Sequence, residues 1–218
     1  MKQVVMVNPG EMAFREVPRP RPSENQVLIE VKRIGICGSD IHVYHGVHPY
    51  TDYPIVQGHE VSGVIAKIGE AVEGLFVGDR VVFMPQVTCG ECYMCRHGME
   101  HICENLKVMG FQTDGAAQEY FPVDAEKVLK VPDRVSLEQA AMVEPVSVAA
   151  HALRRSGIEL TGKQVLVLGA GTIGLLVAQS AKALGAKAVM ITDINDYKVE
   201  KAKVCGADFA VNTSENDL

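Results

Sequence analysis

The sequence predicts a mixed fold: a β-rich domain over residues 1–150, read as a compact β-barrel with few helices, then an α/β domain over 151–218. Three observations carry this. Up to about residue 150, short apolar or alternating segments are separated by Gly and Pro. Beyond it, strand and helix patterns alternate, as βαβ units of a parallel sheet do. The chain has 218 residues, room for one large domain or one domain plus part of another.

In chain order, Gln26–Ile34 alternates, with Val27, Ile29 and Val31 on one face and Glu30 and Lys32 on the other. Val61–Ile68 and 80–84 read as further strands, and ENQ, GEAVEG and VGDR as turns. Helical patterns take over from about residue 140. A strand at 165–168, a helix at 172–184, a strand at 188–192, a helix at 197–204 and a strand beginning at 209–211 follow. No internal repeat or low-complexity stretch interrupts them.

Composition narrows the class. Apolar residues make up 47%, enough for a sizeable core. Lys and Arg number 21 against 27 Asp and Glu, a net charge of −6, which disfavours nucleic acid and anionic membrane as partners. No signal segment opens the chain, and the longest apolar run, 165–178, is too short to span a membrane and carries three glycines. The expectation is a soluble, cytoplasmic protein. There, six cysteines point to metal or catalytic roles rather than disulfides. Cys205 alone reads as a packed helical residue.

Three candidate sites follow. GAGTIG, 169–174, matches G-x-G-x-x-G directly after a strand and at the start of a helix. Gly169 permits the tight turn, Gly171 lets a pyrophosphate approach, and Gly174 lets helix and strand pack closely. Thr172 and Ile173 complete the turn, and the helix N-terminus offers N–H groups to phosphates. Asp193 stands nineteen residues past Gly174 at the end of the next strand. A carboxylate there accepts hydrogen bonds from the ribose hydroxyls of NAD and repels the extra phosphate of NADP. The competing reading is a glycine-rich turn plus a surface aspartate.

CGECYMCRHGMEHIC holds Cys89, Cys92, Cys95 and Cys103 in the spacing C-x2-C-x2-C-x7-C. Four thiolates suit a closed tetrahedral zinc site bracing a loop that has no core of its own. An iron–sulfur cluster ranks lower, because the bacterial spacing ends in a gap of three followed by proline. His97 and His101 could substitute as ligands but read as solvated loop residues.

The third site is dispersed: Cys37, then His59 and Glu60, then Glu144. Adjacent His59 and Glu60 cannot share one helix face, so both reach one metal only from a loop or strand end. Cysteine, histidine and carboxylate together can hold a catalytic zinc with one open position. The alternative is a packed Cys37 and a surface Glu60.

The stretch GHEVSGVIAKIGEAV, 58–72, resembles the signature of zinc-containing alcohol dehydrogenases at Gly58, His59, Glu60, Gly63, Gly69 and Val72. GICGSDIH, GDRV, the four-cysteine lobe and GAGTIG follow that family's order, so the resemblance spans essentially the whole chain. It implies a GroES-like catalytic domain followed by a Rossmann domain, two zinc ions per chain, and NAD. It makes Cys37 and His59 ligands of the catalytic zinc and Glu60 a third or exchanging ligand. Ser39 then contacts the substrate hydroxyl, and His42 is the outer member of a proton relay. Glu144 stands where many such enzymes place a zinc-binding cysteine. With the run TDINDYKVEKAKVCGAD, it resembles the polyol, threonine and sugar-acid branch, and would be a direct or water-mediated zinc partner.

The resemblance thus implies hydride transfer from a secondary alcohol of a small polyol, sugar acid or amino alcohol to NAD. A full-length protein is expected to be a homo-oligomer. A doubly wound dinucleotide fold uses two βαβαβ halves, and these residues supply barely one. The chain ends at NTSENDL, where Ser214 and Asp217 form an S-x-x-D helix-start pattern. The expectation is therefore the front part of such an enzyme. The alternative is a zinc-binding fragment or pseudoenzyme without catalysis.

Overall fold

The computed structural model describes residues 1–215, and its contacts divide the chain into two units, Met1–Val143 and Glu144 onward. In the first unit β1 (Lys2–Asn8) and β2 (Glu11–Glu16) form a hairpin. They are followed by β3 (Gln26–Ile34), α1 (Gly38–Tyr44), β4 (Val61–Ile68), β5 (Arg80–Phe83) and β6 (Gln86–Val87). Then come α2 (Tyr93–Arg96), β7 (Lys107–Val108), β8 (Tyr120–Asp124), β9 (Val128–Lys130) and α3 (Leu137–Ala141), with two short 3-10 turns between them. The second unit holds α4 (Val143–Arg155), whose first residue closes the first unit, and then β10 (Gln164–Leu168), α5 (Thr172–Ala183), β11 (Ala188–Asp193), α6 (Asp196–Val204) and β12 (Phe209–Asn212).

The main sheet of the first unit runs β8-β3-β4-β5-β9, antiparallel throughout. Val27 and Ile29 of β3, Val61 and Ile65 of β4, Val81 and Phe83 of β5, and Phe121 and Val123 of β8 meet in one buried core. Alternation holds only in part. Leu28 is buried along with its neighbours Val27 and Ile29, so both faces of β3 are covered here. The barrel expected from the strand spacing is not closed among the described residues, since β8 and β9 stay as unpaired edges. Their short lengths, and Pro122 with no N–H to donate, suit edge positions.

The second unit is a parallel sheet of order β10-β11-β12, with α5 and α6 as its crossovers. Its core joins Val167, Val189 and Ile191 of the strands to Ala178 and Ala181 of α5 and Ala202 of α6. Small alanines let the helices lie close to the sheet. The units part at residue 143 rather than near 150. Leu153 of α4 packs against the second core, so this helix goes with the unit that buries it. Cys205 caps α6 and is half-buried, not packed in the core. Ser214 lies in a turn, and Asp217 lies outside the described residues. No helix of the described residues is long and apolar enough to cross a membrane.

Candidate functional site

Cys89, Cys92, Cys95 and Cys103 come together where the lobe folds into α2 and a 3-10 turn. Cys92 caps α2, its sulfur accepting from the Cys95 N–H at 3.5 Å. The Sγ separations Cys89–Cys95 and Cys92–Cys103 are 4.0 Å, and Cys92–Cys95 and Cys89–Cys103 are 3.5 Å. A tetrahedron with metal–sulfur bonds of about 2.3 Å has edges of about 3.8 Å, so four thiolates fit zinc here.

Backbone N–H groups are directed at the sulfurs. Cys92 N donates to Cys89 Sγ at 3.4 Å, and Asn105 N to Cys103 Sγ at 3.3 Å. The N–H of Cys92, with that of Glu91, holds the Cys89 thiol down at about 6, whereas burial pushes Cys95 up to about 12. Full ionisation of the set therefore requires a cation among the sulfurs. His97 and His101 are exposed, and His97 stacks on Tyr93 instead of joining the cysteines.

The second cluster is assembled from distant chain positions. Cys37 caps α1, and His59 and Glu60 sit in the loop that leads into β4. One donor atom from each of the three lies within 4.8 Å of the others, and both His59 and Glu60 are 5% exposed. The hydrogen bond with His59, opposed by burial and helped by the Ser39 N–H, holds the Cys37 thiol below its ordinary range. A thiolate, an imidazole and a carboxylate are a donor set for zinc that leaves one tetrahedral position for another group.

The sequence reading missed Asp40. It is buried and closes a capping box, its Oδ2 accepting from Cys37 N at 2.8 Å. Its Oδ1 accepts from Gln57 Nε2 at 3.1 Å and stands 4.0 Å from His59 Nδ1. Burial raises its carboxyl above the ordinary range despite these donors. Asp40 thus fixes the helix that carries Cys37 and stands beside the ring of His59. The visible signal was the Cys37-x-x-Asp40 spacing of a cap with its partner at the third helical position. Phe111, buried with its ring centroid 4.9 Å from that of His59, had no sequence signal. Ser39 and His42 follow on α1, Ser39 half-buried and His42 exposed. Glu144 belongs to the second unit, in the first turn of α4.

In that second unit, GAGTIG forms the turn between β10 and α5. Gly169 has φ +96°, and a Cβ on Gly174 would run into the Gly169 carbonyl oxygen, so both positions require glycine. Gly171 caps α5 with no side-chain hydrogen bond, and a Cβ there would meet nothing within 4 Å. Thr172 and Ile173 open the helix. No side chain caps the first N–H groups of α5, as an anion site there needs. Asp193 ends β11, its Oδ2 accepting from Ala170 N at 2.8 Å and its Oδ1 from Asn195 N at 3.0 Å. Burial opposes its ionisation, but the N–H groups of Ala170 and Asn195 outweigh it and keep the carboxyl below the ordinary range. Lys198, unremarked in the sequence reading, brings its Nζ to 3.8 Å from Asp193 Oδ2.

Residues 23–133 match the alcohol dehydrogenase GroES-like domain, and residues 172–218 match the zinc-binding dehydrogenase domain. The chain belongs to the zinc-binding alcohol dehydrogenase family. It is 42% identical to the starvation-sensing protein RspB of Escherichia coli K12 over all of this chain and 64% of that protein. It is 46% identical to the 2-dehydro-3-deoxy-L-galactonate 5-dehydrogenase of Pseudoalteromonas atlantica, over 90% of this chain and 57% of that one. Among solved structures, an RspB alcohol dehydrogenase of E. coli CFT073 complexed with NADH is similar, with a TM-score of 0.89 and 40% identity. That match covers 99% of this chain and 63% of the other. The chain thus spans under two thirds of the length of these relatives. Its fold is the family's: a GroES-like unit with an open sheet, followed by a Rossmann-like βαβαβ unit.

Proposed function

We propose that the protein is a zinc-dependent oxidoreductase that transfers a hydride from a secondary alcohol of a polyol, sugar acid or threonine-like amino alcohol to NAD. The observation that carries this reading is the Cys37–His59–Glu60 cluster, half-buried at Cys37 and buried at the other two, with donors within 4.8 Å, in a chain that also carries the GAGTIG turn and Asp193. Cys37 and His59 hold the catalytic zinc, with Glu60 as third or exchanging ligand and Glu144 as a direct or water-mediated partner. Cys89, Cys92, Cys95 and Cys103 hold a second, structural zinc.

When bound, zinc supplies a Lewis acid that eases deprotonation of an alcohol near neutral pH, and nicotinamide supplies the hydride acceptor. Ser39, two residues past Cys37, relays the alcohol's proton, its hydroxyl taking up one proton as it gives up its own, and exposed His42, one turn along α1, hands the relayed proton to solvent. The turn of Gly169, Gly171, Thr172, Ile173 and Gly174 receives the pyrophosphate at the N-terminus of α5. Asp193 binds the ribose diol, and its carboxylate disfavours a phosphate in that place. The sugar-acid class is favoured by the 46% identity to a galactonate-type dehydrogenase.

The test follows NADH formation on a panel of sugar acids, polyols and threonine, with NAD and with NADP, for a full-length protein carrying this chain and its Asp193→Ala variant. The expected result is zinc-dependent turnover preferring NAD, with the variant losing roughly 10–100-fold in kcat/KM for NAD, the worth of one or two charge-assisted hydrogen bonds. Equal use of NADP by wild type, or turnover that survives removal of zinc, would contradict the reading.

A further inference from the structure

Glu60 reaches the cluster across the bare backbone of Gly35. The Gly35 N–H donates to the Glu60 carbonyl at 2.7 Å, which ties the end of β3 to the loop before β4. A Cβ built on Gly35 would overlap Glu60 Oε2, stand 2.9 Å from Glu60 Cβ and lie 3.2 Å from its Cδ. The whole side chain of Glu60 therefore occupies the space where residue 35 would carry its own. Backbone conformation does not ask for glycine here, because Gly35 is absent from the glycines with positive φ. Gly38, three residues along the same segment, would meet nothing within 4 Å if given a Cβ. The demand for an absent side chain is thus confined to the contact with Glu60, which is itself 5% exposed and has little room to move.

We propose that Gly35 is a positioning residue for the Cys37–His59–Glu60 cluster: its missing side chain is the slot that seats the Glu60 carboxylate among the other two donors. This rests on the reading of that cluster as a metal site. A methyl at position 35 leaves Cys37 and His59 in place, since neither meets that Cβ among its nearest neighbours. It turns the carboxylate out of the group. The backbone hydrogen bond between the two residues opposes a backbone shift that would relieve the clash.

The experiment loads the full 218-residue chain with cobalt(II) and compares wild type, Gly35→Ala, Glu60→Ala and the double variant. Bound cobalt is counted, the d–d absorption of the second site is recorded, and that site's affinity is measured against a chelator. Thiolate-to-cobalt absorption from the four-cysteine lobe serves as an internal check on folding. Wild type should take two cobalt ions. Gly35→Ala should weaken the second site by about tenfold or more, as loss of an ordering contact does, and shift its d–d bands toward those of Glu60→Ala. The double variant should match Glu60→Ala within about twofold, because both changes act through one carboxylate. An unchanged second site in Gly35→Ala overturns the proposal. So does a methyl at position 35 that weakens the site equally with and without the Glu60 carboxylate. If Gly35→Ala does not fold, the double variant decides. Folding with the affinity of Glu60→Ala supports the slot, and failure to fold places the demand in the backbone and overturns it. A wild-type chain that takes a single cobalt overturns the metal reading itself, a result separate from the others.

Discussion

The four-cysteine lobe draws its donors from fifteen consecutive residues, whereas the Cys37–His59–Glu60 cluster joins a helix cap to a loop twenty-two residues on. In the lobe, four sulfurs stand 3.5–4.0 Å apart along the recorded edges, which completes a tetrahedron with no vertex left over. In the cluster, three unlike donors leave a vertex open, and their support comes from Asp40, Gln57 and the sheet. A closed site of identical ligands can only brace the chain around it. An open site held by the surrounding fold can admit another molecule. The contrast ties local assembly to stability and long-range assembly to chemistry.

The contrast breaks most plainly at His59. In a full-length protein carrying this chain, His59→Ala should cut the proposed dehydrogenase turnover by roughly a thousandfold, since Lewis-acid assistance is worth several kcal/mol. The fold should stay largely intact, and steady-state assays beside a thermal melt report both. Cys95→Ser should act the other way around. Loss of one buried ligand should loosen the lobe and cost about 4 kcal/mol or more in chemical denaturation, the range reached when a metal is lost.

Smaller changes sharpen the picture. Asp40→Asn keeps the shape but weakens the hold on the Cys37 N–H and removes the negative charge beside His59. Metal affinity at the cluster should fall about 10–100-fold while the lobe keeps its own metal. A chelator titration resolves the two sites, and parallel losses at both would mean that Asp40 only stabilises the unit. Ser136→Ala, which removes the cap of α3 and its 3.1 Å bond from Gln139 N, should cost about 1 kcal/mol and leave both sites intact.

The same contrast explains what could be read in advance. The lobe was legible from spacing because its geometry is local. Strands β3, β4, β10 and β11 and helix α5 were legible because apolar periodicity and the glycine turn mark them. The hairpin of β1 and β2 escaped notice because β2 is exposed on both faces, with Phe14 82% exposed, and carries no core stripe. Barrel closure was misjudged because strand spacing does not encode which strands pair: β8 and β9 follow one another in the chain yet lie at opposite edges of the sheet. The boundary at Val143 depends on which core takes up Leu153, again a matter of packing. Cys37, His59 and Glu60 were singled out through a signature, while Asp40 and Gly35 act through contacts with them and have no chemistry of their own to advertise.

The central claim is that the open cluster and the closed lobe are separate zinc sites with separate duties. Zinc content and thermal unfolding, measured together on wild type and His59→Ala, test it most directly. The account predicts two zinc ions per wild-type chain and one in the variant, which keeps its fold and melts in one cooperative transition. A variant that still holds both ions, or that loses both together with its fold, would contradict it.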